Sequence, residues 1–328
     1  MNRIPPRVSD DLSMADKTWS IADVERETGL GKDTLRVWER RYGFPQPRRD
    51  RLGERAYPEE QVQRLRLLKR LLDVGHRPGK LVPLPLAQLQ ALLDAVPDTP
   101  QAVRLGAVVS DLADADTWSG WLAADRTDLI RQALQQQILR QGLGTVVDQL
   151  VAPLCALVGQ AWMRGEISVY QEHLFTEILQ SVLREAIASV DASGQTLQQP
   201  PRVLLTTTPG EQHGLGLLMA ECHFALESCQ RFVLGTSTPV ADIVQAVRQL
   251  QIDVLALSFS AYASRRDVLE NLQQLREQLP AGAGIWAGGA AAASHSRFLP
   301  EGVVLMRQPG DVSLQVAAWR QRHAPPIG

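Results

Sequence analysis

Residues 203–216 read VLLTTTPGEQHGLG, an apolar run followed by a polar stretch that contains glycines, a glutamate and a histidine. The run Val203-Leu204-Leu205 predicts a short buried strand. Four similar runs follow, separated by stretches of helical period, at 231–234, 254–257, 284–287 and 303–305. Five such units predict a Rossmann-like, flavodoxin-type, five-stranded parallel sheet over residues 200–328, with helices on both faces. A ligand of such a sheet lies beyond the carboxyl ends of the strands.

Residues suited to a ligand site stand at three of the predicted strand ends. His213 follows the first strand and can ligate a metal, while Glu211 can orient its imidazole. A lone loop histidine is more often a hydrogen-bonded surface residue. The ends of the third and fourth strands add hydroxyl groups and glycines to the same crevice, at Ser258, Ser260, Gly288 and Gly289.

This set resembles the cobalamin-binding domain shared by methionine synthase, corrinoid carriers and base-off B12 mutases. That domain carries Asp-x-His-x-x-Gly, Ser-x-Leu or Ser-x-Ser, and Gly-Gly elements. The resemblance implies that His213 is the lower axial ligand of cobalt, in place of the dimethylbenzimidazole base. Glu211 stands where the family has aspartate, so its extra methylene keeps a hydrogen bond but changes its reach. The implied slot for the nucleotide tail is lined by Gly216, Ser258, Ser260, Gly288 and Gly289.

Residues 101–193 are predicted to form a helical bundle. Apolar residues recur at helical spacing over 127–140, 146–164 and 168–190. Ser168 and Gln171 predict a capping box, and Gly165 predicts the end of the preceding helix. The short turn between these helices makes them antiparallel neighbours.

The same turn brings Trp162 near Glu172 and His173. Trp, nine residues, then Glu-His resembles the four-helix cap of CarH-type photoreceptors, which are MerR-like repressors that use adenosylcobalamin. The resemblance implies a four-helix bundle over residues 101–193. The resemblance implies that these three side chains cover the upper face of the corrin and surround the adenosyl group. In the light-adapted state of that family, a histidine directly after the tryptophan becomes the upper ligand, and here that position is Met163. A thioether is a poor ligand for Co(III), so the resemblance implies pigment binding and leaves the light response open.

Residues 18–80 are predicted to form a winged helix-turn-helix domain. Ser20 is the expected cap of a first helix, residues 28–31 form a turn, and a second helix runs from Lys32 to Arg41. The basic run over 48–55 predicts a small hairpin or wing. A further helix is expected from about Pro58 to Val74.

The second helix of this domain is cationic. A cationic helix after a tight turn can enter the major groove of DNA. The segment Thr34-Leu35-Arg36-Val37-Trp38-Glu39-Arg40-Arg41-Tyr42-Gly43, with Ser20-Ile21-Ala22 and Arg55-Ala56-Tyr57, resembles the DNA-binding domain of MerR-family regulators. The resemblance implies dimeric binding to a two-fold operator. The DNA contacts expected on the helix are Lys32, Arg36, Arg40 and Arg41, and those expected on the wing are Arg48, Arg51, Arg55 and Tyr57.

The net charge of the chain is divided between its ends. The 328 residues carry a charge of −2, but residues 1–80 hold 18 basic against 13 acidic residues and the remainder hold 16 against 23. Only the first part is suited to a polyanion. Three irregularly spaced cysteines, Cys155, Cys222 and Cys229, argue against a disulfide framework or zinc site and favour the cytoplasm. A disordered leader is expected over 1–17 and a linker over 81–100, and no apolar run predicts a membrane span.

The chain is therefore interpreted as a cytoplasmic transcription factor, not an enzyme. Adenosylcobalamin would lie between His213 and the cap and favour a homodimer or homotetramer that represses at operator DNA. Light would remove the adenosyl group and release the DNA. Three alternatives stay open: a light-independent corrinoid sensor, a regulator using a bilin such as biliverdin, and a corrinoid enzyme or carrier, which leaves residues 19–80 unexplained.

Overall fold

The computed structural model of the chain describes residues 18–28, 30–51, 53–73, 76–94, 115–193, 198–261 and 263–324. The chain divides into two compact units, Met1–Val96 and Pro97–Gly328. The predicted leader over residues 1–17 lies outside the described residues.

The described residues of the first unit form five helices and a small antiparallel sheet in the order β1-β3-β2. The Ser20 hydroxyl accepts a hydrogen bond from the Asp23 amide at 3.2 Å, which confirms the predicted cap. Strands β2 and β3 pair as the predicted hairpin. The elements are β1 (Thr18–Ser20), α1 (Ile21–Thr28), α2 (Lys32–Tyr42), β2 (Arg48–Arg49), β3 (Arg55–Pro58), α3 (Glu59–Asp73), α4 (Pro78–Leu81) and α5 (Leu86–Asp94).

The predicted linker over 81–100 requires a correction. Leu81, Val82 and Leu89 are buried in the same core as Leu35 and Trp38 of α2. Residues 81–94 therefore belong to the first unit, since their apolar side chains complete its core. The remainder of the predicted linker lies outside the described residues.

The second unit begins with the predicted four-helix bundle. Gly165 adopts a left-handed φ of 76°, which ends the third helix as expected. The Ser168 amide donates to Gln171 Oε1 at 2.9 Å, which is half of the predicted capping box. The elements are α6 (Ala115–Ala123), α7 (Thr127–Gln141), α8 (Leu143–Val146), a π-helical turn (Val147–Val151), α9 (Ala152–Arg164) and α10 (Val169–Ser193).

The stretch Leu143–Trp162 is long and apolar enough to cross a membrane by length and composition. Its apolar side chains instead fill the bundle, where Val147, Leu150, Leu154 and Val158 are buried. The hydropathy of this helix is thus explained by the bundle core.

A five-stranded parallel sheet follows, in the order β5-β4-β6-β7-β8. This is the predicted flavodoxin-type order, and the chain reverses its direction of travel across the sheet between β4 and β6. The elements are β4 (Gln199–Thr206), α11 (Leu215–Leu226), β5 (Cys229–Gly235), α12 (Val240–Gln249), β6 (Val254–Ser258), α13 (Arg265–Gln278), β7 (Gly284–Gly288), α14 (Ala290–Ser294), β8 (Val303–Met306) and α15 (Asp311–Arg322).

Bundle and sheet share helix α11. Its residues Leu218, Cys222 and Ala225 are buried in the core of the bundle. On the same helix, His223 Nε2 lies 3.0 Å from Asp148 Oδ1 in the π-helical turn. Apolar packing and a hydrogen bond therefore join the two parts of this unit.

Candidate functional site

The crevice at the reversal point of the sheet brings Glu211, His213 and Ser260 together. His213 Nδ1 lies 2.6 Å from Glu211 Oε1, and the His213 amide donates to the same oxygen at 2.9 Å. The imidazole is 54 % exposed, whereas the Glu211 side chain is 5 % exposed. A buried carboxylate thus fixes one ring nitrogen and favours the tautomer with a lone pair on Nε2.

Ser260 completes the arrangement from the loop after β6. Its amide and hydroxyl both donate to Glu211 Oε2, at 2.9 and 2.8 Å. Burial raises the pKa of Glu211, but the hydrogen bonds from His213 and Ser260 outweigh it and hold the pKa below its usual value. Glu211 is therefore an anion that orients His213, and glutamate serves in the position predicted for aspartate.

Thr207 supports this loop from beneath and was not identified from the sequence. Its hydroxyl is fully buried, donates to the Glu211 carbonyl at 2.6 Å and accepts from the Ser237 amide at 2.8 Å. The run Thr206-Thr207-Thr208 directly after the first strand was an available signal, because buried threonines require partners.

Two glycines of the predicted slot have steric reasons to be glycine. A Cβ on Gly216 would lie 2.5 Å from Ser258 Oγ. Gly289 has a φ of +95°, and a Cβ there would overlap the Phe259 carbonyl oxygen. Gly288 ends β7 beside it. Other atoms of the protein thus lie close to the backbone at these strand ends, where the predicted tail slot lies.

The cap residues are arranged around the turn between α9 and α10. Trp162 packs against the bundle core. His173 Nδ1 lies 2.6 Å from Glu172 Oε2, and the Thr176 hydroxyl donates to the other Glu172 oxygen at 2.9 Å. Burial and the Glu172 carboxylate raise the pKa of Cys155 to about 12, so this thiol is neutral near the cap. The side chain of Met163 lies outside the described part of the chain.

In the first unit, the predicted helix contacts lie on α2. Arg40 and Arg41 are exposed, Lys32 Nζ is 3.3 Å from Glu25, and the guanidinium of Arg36 is 3.2 Å from Asp33. These side chains form a charged outer face, opposite the buried Leu35 and Trp38.

The predicted wing contacts divide into two groups. Arg48 and Arg51 are exposed on the hairpin. Tyr57 is fully buried and its hydroxyl donates to Glu39 at 2.9 Å, while Arg55 Nε lies 3.1 Å from the same carboxylate. The expectation that Tyr57 belongs to the DNA-contacting surface is corrected by this burial. Glu39, which the sequence did not single out, ties α2 to the wing.

Comparisons with known proteins agree with this division of the chain. Residues 19–81 match the MerR HTH family regulatory proteins, and residues 124–186 match the B12 binding domain family. The HTH-type transcriptional repressor CarH of Myxococcus xanthus is 33 % identical over 288 residues, which are 86 % of this chain and 92 % of that protein. CarA of the same organism, also an HTH-type transcriptional repressor, is 28 % identical, with 86 % and 90 % covered.

The structure is also similar to that of the monomethylamine corrinoid protein of Methanosarcina barkeri. The two are 13 % identical with a TM-score of 0.45, and the match covers 64 % of this chain and 99 % of that one. Because the chain matches CarH at this identity over almost its full length, it belongs to the family of CarH-like MerR-type transcriptional regulators with a B12-binding domain, and it is not an enzyme.

Proposed function

We propose that the chain is a cytoplasmic repressor whose affinity for operator DNA is set by adenosylcobalamin, with His213 as the lower axial ligand. The observation that carries this proposal is the Glu211–His213–Ser260 arrangement at the reversal point of the sheet. In such sheets this point is where ligands bind.

The residues of the crevice fit a corrinoid. Among the described residues, no three His, Cys, Asp or Glu side chains form a metal-binding group. A single oriented histidine suits a metal that its own macrocycle already holds. The glycines at 216 and 289 let the backbone pack closely on Ser258 and Phe259 at these strand ends, where the proposed nucleotide tail would lie. When bound, adenosylcobalamin supplies a light-sensitive bond between cobalt and the adenosyl group.

The side chains of this protein have separate tasks in the proposal. Glu211 accepts from Nδ1 and directs the Nε2 lone pair of His213 towards the ligand. Trp162 covers the opposite face, where Glu172 and His173 present a hydrogen-bonded pair. A ligand held between these groups binds one arrangement of bundle and sheet better than others, and so shifts the population of the DNA-binding form, a homodimer or homotetramer.

The test compares ligand retention by the full-length protein and its variants. The protein is incubated separately with adenosylcobalamin and biliverdin, desalted, and examined by absorption before and after illumination. We expect corrin bands with the first ligand. His213→Ala should weaken cobalamin binding at least tenfold and change the spectrum of the bound form, whereas His76→Ala, an exposed histidine of the first unit, should not.

Loss of corrin bands after desalting would contradict cobalamin binding, and retention of biliverdin alone would favour the bilin alternative. Unchanged affinity and spectrum in His213→Ala would refute the axial role.

Met163 favours a second candidate, a corrinoid sensor that does not use light. In this case cobalamin added in the dark changes operator affinity, and illumination has no further effect. Electrophoretic mobility shifts with the same DNA in darkness and after green light separate the two. Reversal of the cobalamin effect by light supports the photoreceptor.

A further inference from the structure

An apolar side chain stands in the charged outer face of α2. Val37 is 43 % exposed, while Leu35 and Trp38 on the inner side of this helix are 0 % and 4 % exposed. Single exposed aliphatic residues are common on protein surfaces, so exposure alone indicates nothing. The position of Val37 among its neighbours is what gives it meaning.

Helical geometry places Val37 in the middle of the surface predicted to meet DNA. At 3.6 residues per turn, Asp33 and Arg41 lie one turn before and after it, and Arg40 is three residues on. All three are exposed. Arg36, beside it, is 3.2 Å from Asp33. The valine is therefore the apolar centre of a ring of charged groups.

The major groove offers one apolar group to such a residue. Arginines bond guanine edges and phosphates, and an aliphatic side chain contacts the 5-methyl group of thymine. A β-branched residue in a helix holds essentially one rotamer, so the contact costs little side-chain entropy.

We propose that Val37 is a specificity-determining residue that contacts the methyl group of a thymine in each operator half-site. This inference rests on the proposed binding of operator DNA through α2. It gives α2 a preference for thymine, which the charged side chains around Val37 do not provide. The partner group on the DNA is the 5-methyl group of that base.

The experiment removes the methyl group from the DNA and its partner from the protein. Duplexes that bind the full-length protein are selected from a random library, in the ligand state that retains the most DNA. In the selected sequence, each thymine is replaced in turn by deoxyuridine, which lacks only the methyl group. Affinities are then measured for wild type and Val37→Ala.

We expect one thymine position per half-site at which deoxyuridine weakens wild-type binding about fourfold, the effect of one buried methyl group. Val37→Ala should show a comparable loss on the thymine duplex and no further loss on the deoxyuridine duplex, which is the signature of direct coupling. Val233→Ala, an exposed valine of β5 that is 44 % exposed, is the matched control and should bind like wild type.

Wild-type affinity that is indifferent to every replacement would overturn the inference, as would a Val37→Ala variant that keeps the full deoxyuridine penalty. Unchanged thermal unfolding of this surface variant shows that the fold is intact. A library that yields no enriched sequence, with Arg40→Ala leaving DNA affinity and its salt dependence unchanged, would instead contradict the proposed DNA binding through α2, and the inference with it.

Discussion

The orientation of His213 depends on successive hydrogen bonds that link it through Glu211 to the buried hydroxyl of Thr207. His213 bonds to Glu211, and the backbone of Glu211 is held by Thr207. Thr207→Val keeps the shape of the side chain but removes the hydrogen bonds to Glu211 and Ser237. We expect cobalamin affinity to fall roughly tenfold, in line with one or two lost hydrogen bonds.

The matched variant is Thr207→Ser, which retains the hydroxyl and should bind nearly as wild type. Titrations followed by absorption measure both. Equal losses in the two variants would attribute the effect to packing and not to the hydrogen bonds.

Gly216 is the second residue whose substitution has a defined consequence. An added Cβ meets Ser258 Oγ at 2.5 Å, whereas a Cβ on Gly282 meets nothing within 4 Å. Gly216→Ala should destabilise the second unit by about 1–3 kcal/mol, the usual cost of overpacking, and weaken cobalamin binding. Gly282→Ala should do neither. Thermal unfolding and ligand titration test this pair, and an unaffected Gly216→Ala would show that the crevice accommodates the methyl group.

Glu39 joins α2 to the wing by accepting hydrogen bonds from Arg55 and Tyr57 of β3. Burial and then the hydrogen bond to Glu39 raise the pKa of Tyr57 above its ordinary value of 10. A raised pKa in the folded state stabilises the protein fully below pH 10, and that stability is lost as the pH rises through the folded value. Spectrophotometric titration of Tyr57→Phe should therefore lose one of the tyrosine ionisations that lie above pH 10 in wild type, while that of Tyr170, whose pKa is raised by its hydrogen bond to Asp125, remains.

The same substitution tests the tie between the elements. Tyr57→Phe should destabilise β3 and α3 by about 1–3 kcal/mol, because a buried carboxylate loses a donor. Tyr170→Phe is the control, since that hydroxyl also donates to a carboxylate, Asp125, but its residue is 53 % exposed. Hydrogen exchange of peptides from residues 55–73 measures the difference. Equal protection in wild type and Tyr57→Phe would contradict the tie.

The elements also show what the sequence can and cannot predict. Strand runs, Gly165 and Ser20 are local signals, and five repeated units predicted the five-stranded parallel sheet. The packing of residues 81–94 could not be predicted from local signals. The prolines in this stretch indicated a linker, but Leu81 and Leu89 pack against residues that are distant in the sequence. Tyr57 carried the same difficulty, because its burial depends on Glu39, 18 residues earlier.

The hydrogen bond between Asp148 and His223 is a polar link from the bundle to the sheet of the second unit. The His223 side chain is 6 % exposed and that of Asp148 is 32 % exposed. Asp148→Ala should lower the stability of this unit by about 1–3 kcal/mol, since it leaves a buried imidazole without its acceptor.

The exposed pair of Arg126 and Asp128, with side chains 51 % and 64 % exposed, provides the comparison. Asp128→Ala should cost clearly less stability than Asp148→Ala, because water and salt screen an exposed ion pair. Chemical unfolding with cobalamin bound and absent measures both variants. A loss in Asp148→Ala no larger than in Asp128→Ala would show that apolar packing alone holds the parts together.

The π-helical turn over Val147–Val151 also determines an angular relation. A wide turn holds one residue more than an α-helical path, so everything after it is rotated by about 100° around the axis. Asp148, within the turn, contacts His223 of α11. Cys155 and Trp162 follow the turn, on α9. Deleting one residue here would leave a continuous helix but turn the tryptophan away from its present neighbours. In this protein, the number of residues in one helix thus decides which side chains Trp162 packs against.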